Sequence, residues 1–139
     1  MKKGDSFMVK MPPEIKDIVA KQKPLPIATA DKSGKPNVVF VTMWKILDDE
    51  TLLIVDNFFN KTRKNLEVNP NMALVVYDGD AKKSYQLKGT VDIESRGDKF
   101  TRAKEMADAK KLPGKAAVVF HVKEIYDATY GPNAGKKLA

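Results

Sequence analysis

The run from Ser84 to Glu94 constrains this chain more than any other, because its side chains alternate without a break. Tyr85, Leu87, Gly89, Val91 and Ile93 fall on one face, and Gln86, Lys88, Thr90, Asp92 and Glu94 on the other. A period of two with one apolar and one polar face describes an antiparallel strand, buried on one side and wet on the other. A parallel strand packed between helices would be apolar on both sides. Gly89, inside the pattern, predicts a bend or a bulge of the kind a barrel needs at its corners.

The rest of the chain agrees with such a sheet. Strands are predicted over Leu25 to Ala30, Asn37 to Leu47, Thr51 to Asp56, Met72 to Tyr77 and Ala116 to Ile125. The turn 31–36 closes the first, and Asp48-Asp49-Glu50 makes a hairpin of 37–47 and 51–56. Within 37–47 one face is expected to carry Val38, Phe40, Thr42, Trp44 and Ile46, and the other Val39, Val41, Met43, Lys45 and Leu47. Phe40 and Trp44 share a face with Val38 and read as core.

Helices are predicted from Pro12-Pro13-Glu14 to Gln22, from Asn60 to about Asn69-Pro70, and from Asp98 to Lys111. Ile15, Ile18 and Val19 repeat at helical spacing in the first; Phe100, Ala103, Met106 and Ala107 do so in the third. Closely spaced strands with hairpin-length turns favour an antiparallel sheet or small barrel over a βαβ sheet. The expected fold is mainly β (α+β), with helices covering the open ends or edges. Its 139 residues make one domain, 1–139, with 1–11 and 131–139 as flexible tails.

Composition removes several chemistries. There is no cysteine, so disulfides, thiolate metal sites and cysteine nucleophiles are excluded. The one histidine, His121, rules out a multi-histidine metal site, and no Gly-x-Ser-x-Gly elbow accompanies it. Carboxylates sit mostly in turns or on outward strand faces, which gives no support to paired-carboxylate catalysis. Neither GxGxxG nor GxxxxGK[ST] occurs. No metal site is expected and no side chain is assigned a catalytic role. No apolar run approaches the ~18 residues of a membrane span, and Met1 to Asp5 lacks the apolar stretch of a signal peptide. A cytoplasmic protein is the expectation.

The net charge of +7 is compatible with nucleic acid, an acidic membrane surface or a phosphorylated ligand. Its most telling concentration is Asn60-Lys61-Thr62-Arg63-Lys64, where a helix begins. A helix N-terminus carries a partial positive charge and usually attracts Asp or Glu. Cations there make sense when an anion sits on the free backbone N–H groups. The same residues also describe a basic helix whose Lys and Arg face water, and residue types alone leave both readings open.

These pieces together resemble the pyridoxamine 5′-phosphate oxidase-like superfamily of flavin-binding split barrels, particularly its small single-domain FMN-binding members. The resemblance rests on Ile27-Ala28-Thr29, the turn Ser33-Gly34-Lys35-Pro36-Asn37, the strand with Trp44, and Leu53-Ile54-Val55-Asp56-Asn57 leading into Asn60-Lys61-Thr62. It continues through Leu66, Asn69-Pro70, Met72-Ala73-Leu74-Val75 and the Gly89 strand.

The resemblance implies an antiparallel split β-barrel and FMN at the interface of a homodimer. It implies that Lys61 and Thr62 hold the phosphate, with Asn60 and Arg63 as further candidates. Asp56 and Asn57 would line the ribityl chain or ring edge, and Val41, Thr42 and Met43 would run beside the ring. Tyr85 and Gln86 would face the cofactor from the partner or the far side. The arginine that leads the oxidases' flavin-binding strand is missing from Val38 to Met43, and so are their C-terminal substrate arginines, which puts pyridoxamine phosphate oxidation in doubt. An electron carrier or flavin-dependent reductase, with an unknown redox partner, is the better expectation. The alternatives are the same fold with a deazaflavin, or a basic barrel binding single-stranded nucleic acid.

Overall fold

The computed structural model describes residues 8–139. In chain order the elements are α1 (Pro13–Lys21), β1 (Leu25–Ala30), β2 (Pro36–Val41), β3 (Trp44–Asp48), β4 (Thr51–Asp56), α2 (Lys61–Val68), β5 (Asn71–Asp78), β6 (Lys83–Glu94), α3 (Asp98–Ala109) and β7 (Ala116–Asp127). The strands form one antiparallel sheet in the order β2-β1-β5-β6-β7-β4-β3. This is a split barrel.

The expected strand 37–47 is in fact two strands. β2 pairs with β1 at one edge of the sheet, and β3 pairs with β4 at the other. Thr42 and Met43 carry the chain between the edges and belong to neither strand. The alternation slips by one residue there. In β2, Val39 and Val41 face the main core and Val38 and Phe40 face out, whereas in β3 Trp44 and Ile46 pack on that core. Phe40 is therefore not a core residue; it is 69% exposed. A half-buried strand on either side of the crossing reads alike in sequence, so periodicity cannot reveal the slip.

The barrel interior is filled by Leu25, Ile27, Leu52, Ile54, Leu74, Val76, Leu87, Val118 and Phe120, with α1 adding Ile15 and Val19. A second, smaller core lies on the other face of β4 and β7. There Leu53, Val55, Ala117 and Val119 meet Ala103 and Ala107 of α3. Having partners on both sides, β4 is buried at every position.

Gly89 sits at a register shift between β6 and β7, as the sequence suggests. A Cβ at this position would lie 1.9 Å from the His121 carbonyl oxygen, so no larger residue fits without moving β7. His121 lies on β7 with Nε2 2.8 Å from the Asp92 carboxylate.

Of the two expected flexible tails, residues 1–7 lie outside the described residues. Val9 N–H donates to Val122 and Met11 N–H to Asp49, and the Met11 side chain is buried. The other tail folds back along β7: Ile125 N–H donates to Ala139, Leu138 N–H to Ile125 and Asp127 N–H to Lys136.

Candidate functional site

A cleft of about 400 Å³ opens where β2 gives way to β3 and the chain enters α2. Its walls come from Asn37, Val39, Phe40 and Val41 of β2, the crossing Thr42-Met43, and the segment Asn57 to Thr62. Of the residues implicated by the sequence, Val41, Thr42, Met43, Asn57, Asn60, Lys61 and Thr62 meet here.

One end of the cleft is the start of α2. Asn60 occupies the capping position, but no side chain caps the helix and no acid lies in its first turn. The first N–H groups of a helix have no partner within it, so those of α2 are available to an anion. Lys61 is exposed beside them, while Thr62 is buried.

A polar network holds this end in place. Asn37 Nδ2 donates to Thr62 Oγ1 at 3.1 Å and lies 3.2 Å from Thr29 Oγ1. Asn65 Nδ2 donates to the same Thr29 oxygen at 3.0 Å. With its oxygen accepting from Asn37, the Thr62 hydroxyl keeps its proton to donate. Asn37 is a polar wall residue that the sequence did not single out. Its place at the start of β2 gave no chemical signal, because its role depends on α2 being alongside.

Arg63 takes no part in the cleft. Its guanidinium reaches the Asp56 carboxylate at 2.8 Å and Glu67 at 3.1 Å. Asp56 is fully buried, accepts from Phe59 N–H at 3.0 Å and has Lys115 at 3.7 Å. The cleft therefore excludes Asp56, whose carboxylate braces the loop beneath it. Asn57 links two flanks of the site: its Oδ1 accepts from Gly114 N–H at 2.9 Å, and its Nδ2 is 3.7 Å from Met43 Sδ.

Tyr85 and Gln86 lie away from this cleft. Tyr85 is buried in the barrel core, where burial raises the pKa of its phenol. Gln86 is on the opposite face of β6, half-buried. Beyond Asn37 and Lys61 a second hollow continues the cleft, lined by Lys35, Lys64 and Asp31. Asp31 is held below its ordinary pKa, first by the Ser33 hydroxyl and then by the backbone N–H of Lys35.

The only histidine is not among the cleft residues. Among the described residues no group of three or more His, Cys, Asp or Glu could hold a metal ion. No helix among them is long and apolar enough to cross a membrane.

Residues 11–128 match the family model described as pyridoxamine 5′-phosphate oxidase, and the chain belongs to that family. An uncharacterized protein of Methanocaldococcus jannaschii is 44% identical over 117 residues, covering 81% of this chain and 78% of that protein. The crystal structure of Group A Streptococcus HupZ superposes with a TM-score of 0.79 at 30% identity, covering 90% of this chain and 99% of that one. An FMN-binding protein from Syntrophomonas wolfei shares the fold with a TM-score of 0.70 at 18% identity, covering 82% of each chain. Heme oxygenase HutZ of Vibrio cholerae is 27% identical over 78 residues, covering 56% of this chain and 43% of that protein.

Proposed function

We propose that the cleft binds FMN and that the protein is a flavin-dependent electron carrier or reductase. The uncapped start of α2, with Lys61 exposed and Thr62 fixed by Asn37, is the observation that carries this reading. The phosphate would lie on the free N–H groups, the Lys61 ammonium and the Thr62 hydroxyl. The remaining cleft is largely apolar at its walls and falls within the roughly 300–1,000 Å³ of small-molecule sites. Val41, Thr42, Met43 and Asn57 would hold the ring and ribityl chain. Bound there, FMN supplies the redox chemistry, and the protein positions it and tunes its potential.

The name of the Syntrophomonas wolfei structure agrees with FMN, although at 18% identity that likeness supports the fold and no more. The Vibrio cholerae relative is called a heme oxygenase. Histidine ligation of heme in this cleft is disfavoured, because His121 is on β7 and pairs with Asp92. A deazaflavin is the second reading, favoured by the hollow beyond Lys61. Its Lys35 and Lys64 would suit a longer anionic tail. A nucleic-acid module needs exposed rings interleaved with cations. The exposed Phe40 instead shares its strand face with Pro36 and Val38.

That outer face also supports a homodimer. Val38 and Phe40 on β2 and Val75 and Tyr77 on β5 are exposed, and Ala28 and Ala73 connect them through direct register. Such a contiguous apolar patch marks an interface. Phe40 borders the cleft as well, which would bring the interface to the cofactor. Sedimentation equilibrium of the full chain is expected to give twice the monomer mass at micromolar concentration; a persistent monomer refutes the dimer.

Titration with FMN, followed by quenching of flavin fluorescence, tests the cofactor assignment. Lys61→Ala combined with Thr62→Ala is expected to weaken binding about 100-fold, from the loss of two charge-assisted hydrogen bonds. A far-UV spectrum and urea midpoint establish that the variant is folded. Full FMN affinity in the folded variant would place the phosphate elsewhere.

A further inference from the structure

Thr42 and Met43 border a second cavity, of about 520 Å³, that lies toward the ends of α1 and α3. Lys23, Lys45 and Lys110 line it from three separate parts of the chain, and Trp44 forms part of its wall. No Asp or Glu lines the cavity. Among the described residues no ion pair joins any of these three lysines to a carboxylate.

Each lysine has a local rationale of its own. Lys110 caps the C-terminal end of α3, where a cation suits the helix dipole, and Lys45 lies on edge strand β3, where lysine discourages strand addition. Neither rationale requires all three to converge on one concave surface. Like charges lining one concave surface without an acid add to a positive potential there, which favours an anion.

We propose that this cavity is an anion-binding subsite for a small organic molecule bearing a carboxylate or phosphate. The remainder of that molecule lies along Thr42 and Met43, beside the cleft. Its placement next to a cofactor rests on the FMN reading, whereas anion binding by the three lysines does not. The exposed, flexible ammonium groups suit a ligand that arrives and leaves. They contrast with the fixed donors at the start of α2.

Trp44 is the sole tryptophan, so its fluorescence reports on this cavity. The full chain without FMN is titrated with inorganic phosphate and, separately, with succinate, while iodide and caesium serve as quenchers. Iodide is expected to quench Trp44 more strongly than caesium. At least one of the two anions is expected to protect it saturably at about 1–10 mM. Protection by phosphate alone or by succinate alone identifies which anion the subsite prefers.

The variant Lys23→Gln/Lys45→Gln/Lys110→Gln is expected to lower the iodide-to-caesium ratio about threefold and abolish protection, with its urea midpoint and FMN affinity unchanged. Lys82→Gln/Lys83→Gln/Lys99→Gln, with the same loss of charge, is expected to change neither. Absence of saturable protection by both anions overturns the proposal. So does an equal effect of the two triple variants, or loss of FMN binding in the first. Failure of the wild-type chain to bind FMN refutes the cofactor reading, and saturable protection in that same chain leaves the subsite standing.

Discussion

The two cavities that meet at Thr42 and Met43 are built in opposite ways. At the start of α2 the donors are fixed: backbone N–H groups on a helix, and a buried Thr62 held by Asn37 above Thr29 and Asn65. In the other cavity the donors are three exposed lysines on flexible stems. Fixed donors have lost their freedom on folding, so a ligand bound there loses little more of theirs. Flexible lysines raise local anion concentration without fixing a geometry. On the proposed readings, the difference separates a place for a resident cofactor from a place for a molecule that exchanges.

The brace beneath the cleft gives the largest expected effect of a single change. Asp56→Ala removes the buried partner of Arg63 and the acceptor for Phe59 N–H. Breaking a buried pair costs about 3–5 kcal/mol, and the lower end applies because the Arg63 side chain is a quarter exposed. Urea unfolding is expected to show a loss of about 3 kcal/mol. A loss below about 1 kcal/mol would make this brace no different from a surface ion pair.

A smaller effect is expected from Asn37→Ala. Removing its amide leaves the Thr29 and Thr62 oxygens with one donor fewer, a loss of about 1 kcal/mol of stability. FMN affinity is expected to fall about tenfold, because Thr62 loses the group that orients its hydroxyl. If affinity is unchanged while stability drops, the network supports the fold without preparing the site. The contrast between the two cavities would then rest on the helix terminus alone.

Legibility in the sequence followed the range of the forces involved. The alternation of Ser84 to Glu94, the Gly89 bulge, the 48–50 hairpin turn and the apolar stripe of α3 were readable because each depends on neighbours a few residues apart. The basic helix start was readable for the same reason, as a charge that contradicts the local dipole. The family pattern then assigned a cleft of which seven residues meet in the fold. The fates of Arg63 and Asp56 were not readable. Both were expected at the site, and they pair in a brace beneath it, a choice set by which side of the loop α2 covers.

By itself, the sequence determined that this chain is largely antiparallel and cysteine-free, with a cationic helix start and a single histidine. Period, turn chemistry and composition are local properties, and they survive in a string of letters. Tertiary structure alone decided that 37–47 crosses from one edge of the sheet to the other. That crossing slips the alternation, turns Phe40 outward and gives the two cavities a shared wall at Thr42 and Met43. The physical reason is that edge pairing is a long-range choice. β2 and β3 find partners in β1 and β4, at opposite edges of one sheet, and no spacing within the run encodes which partner each half will meet.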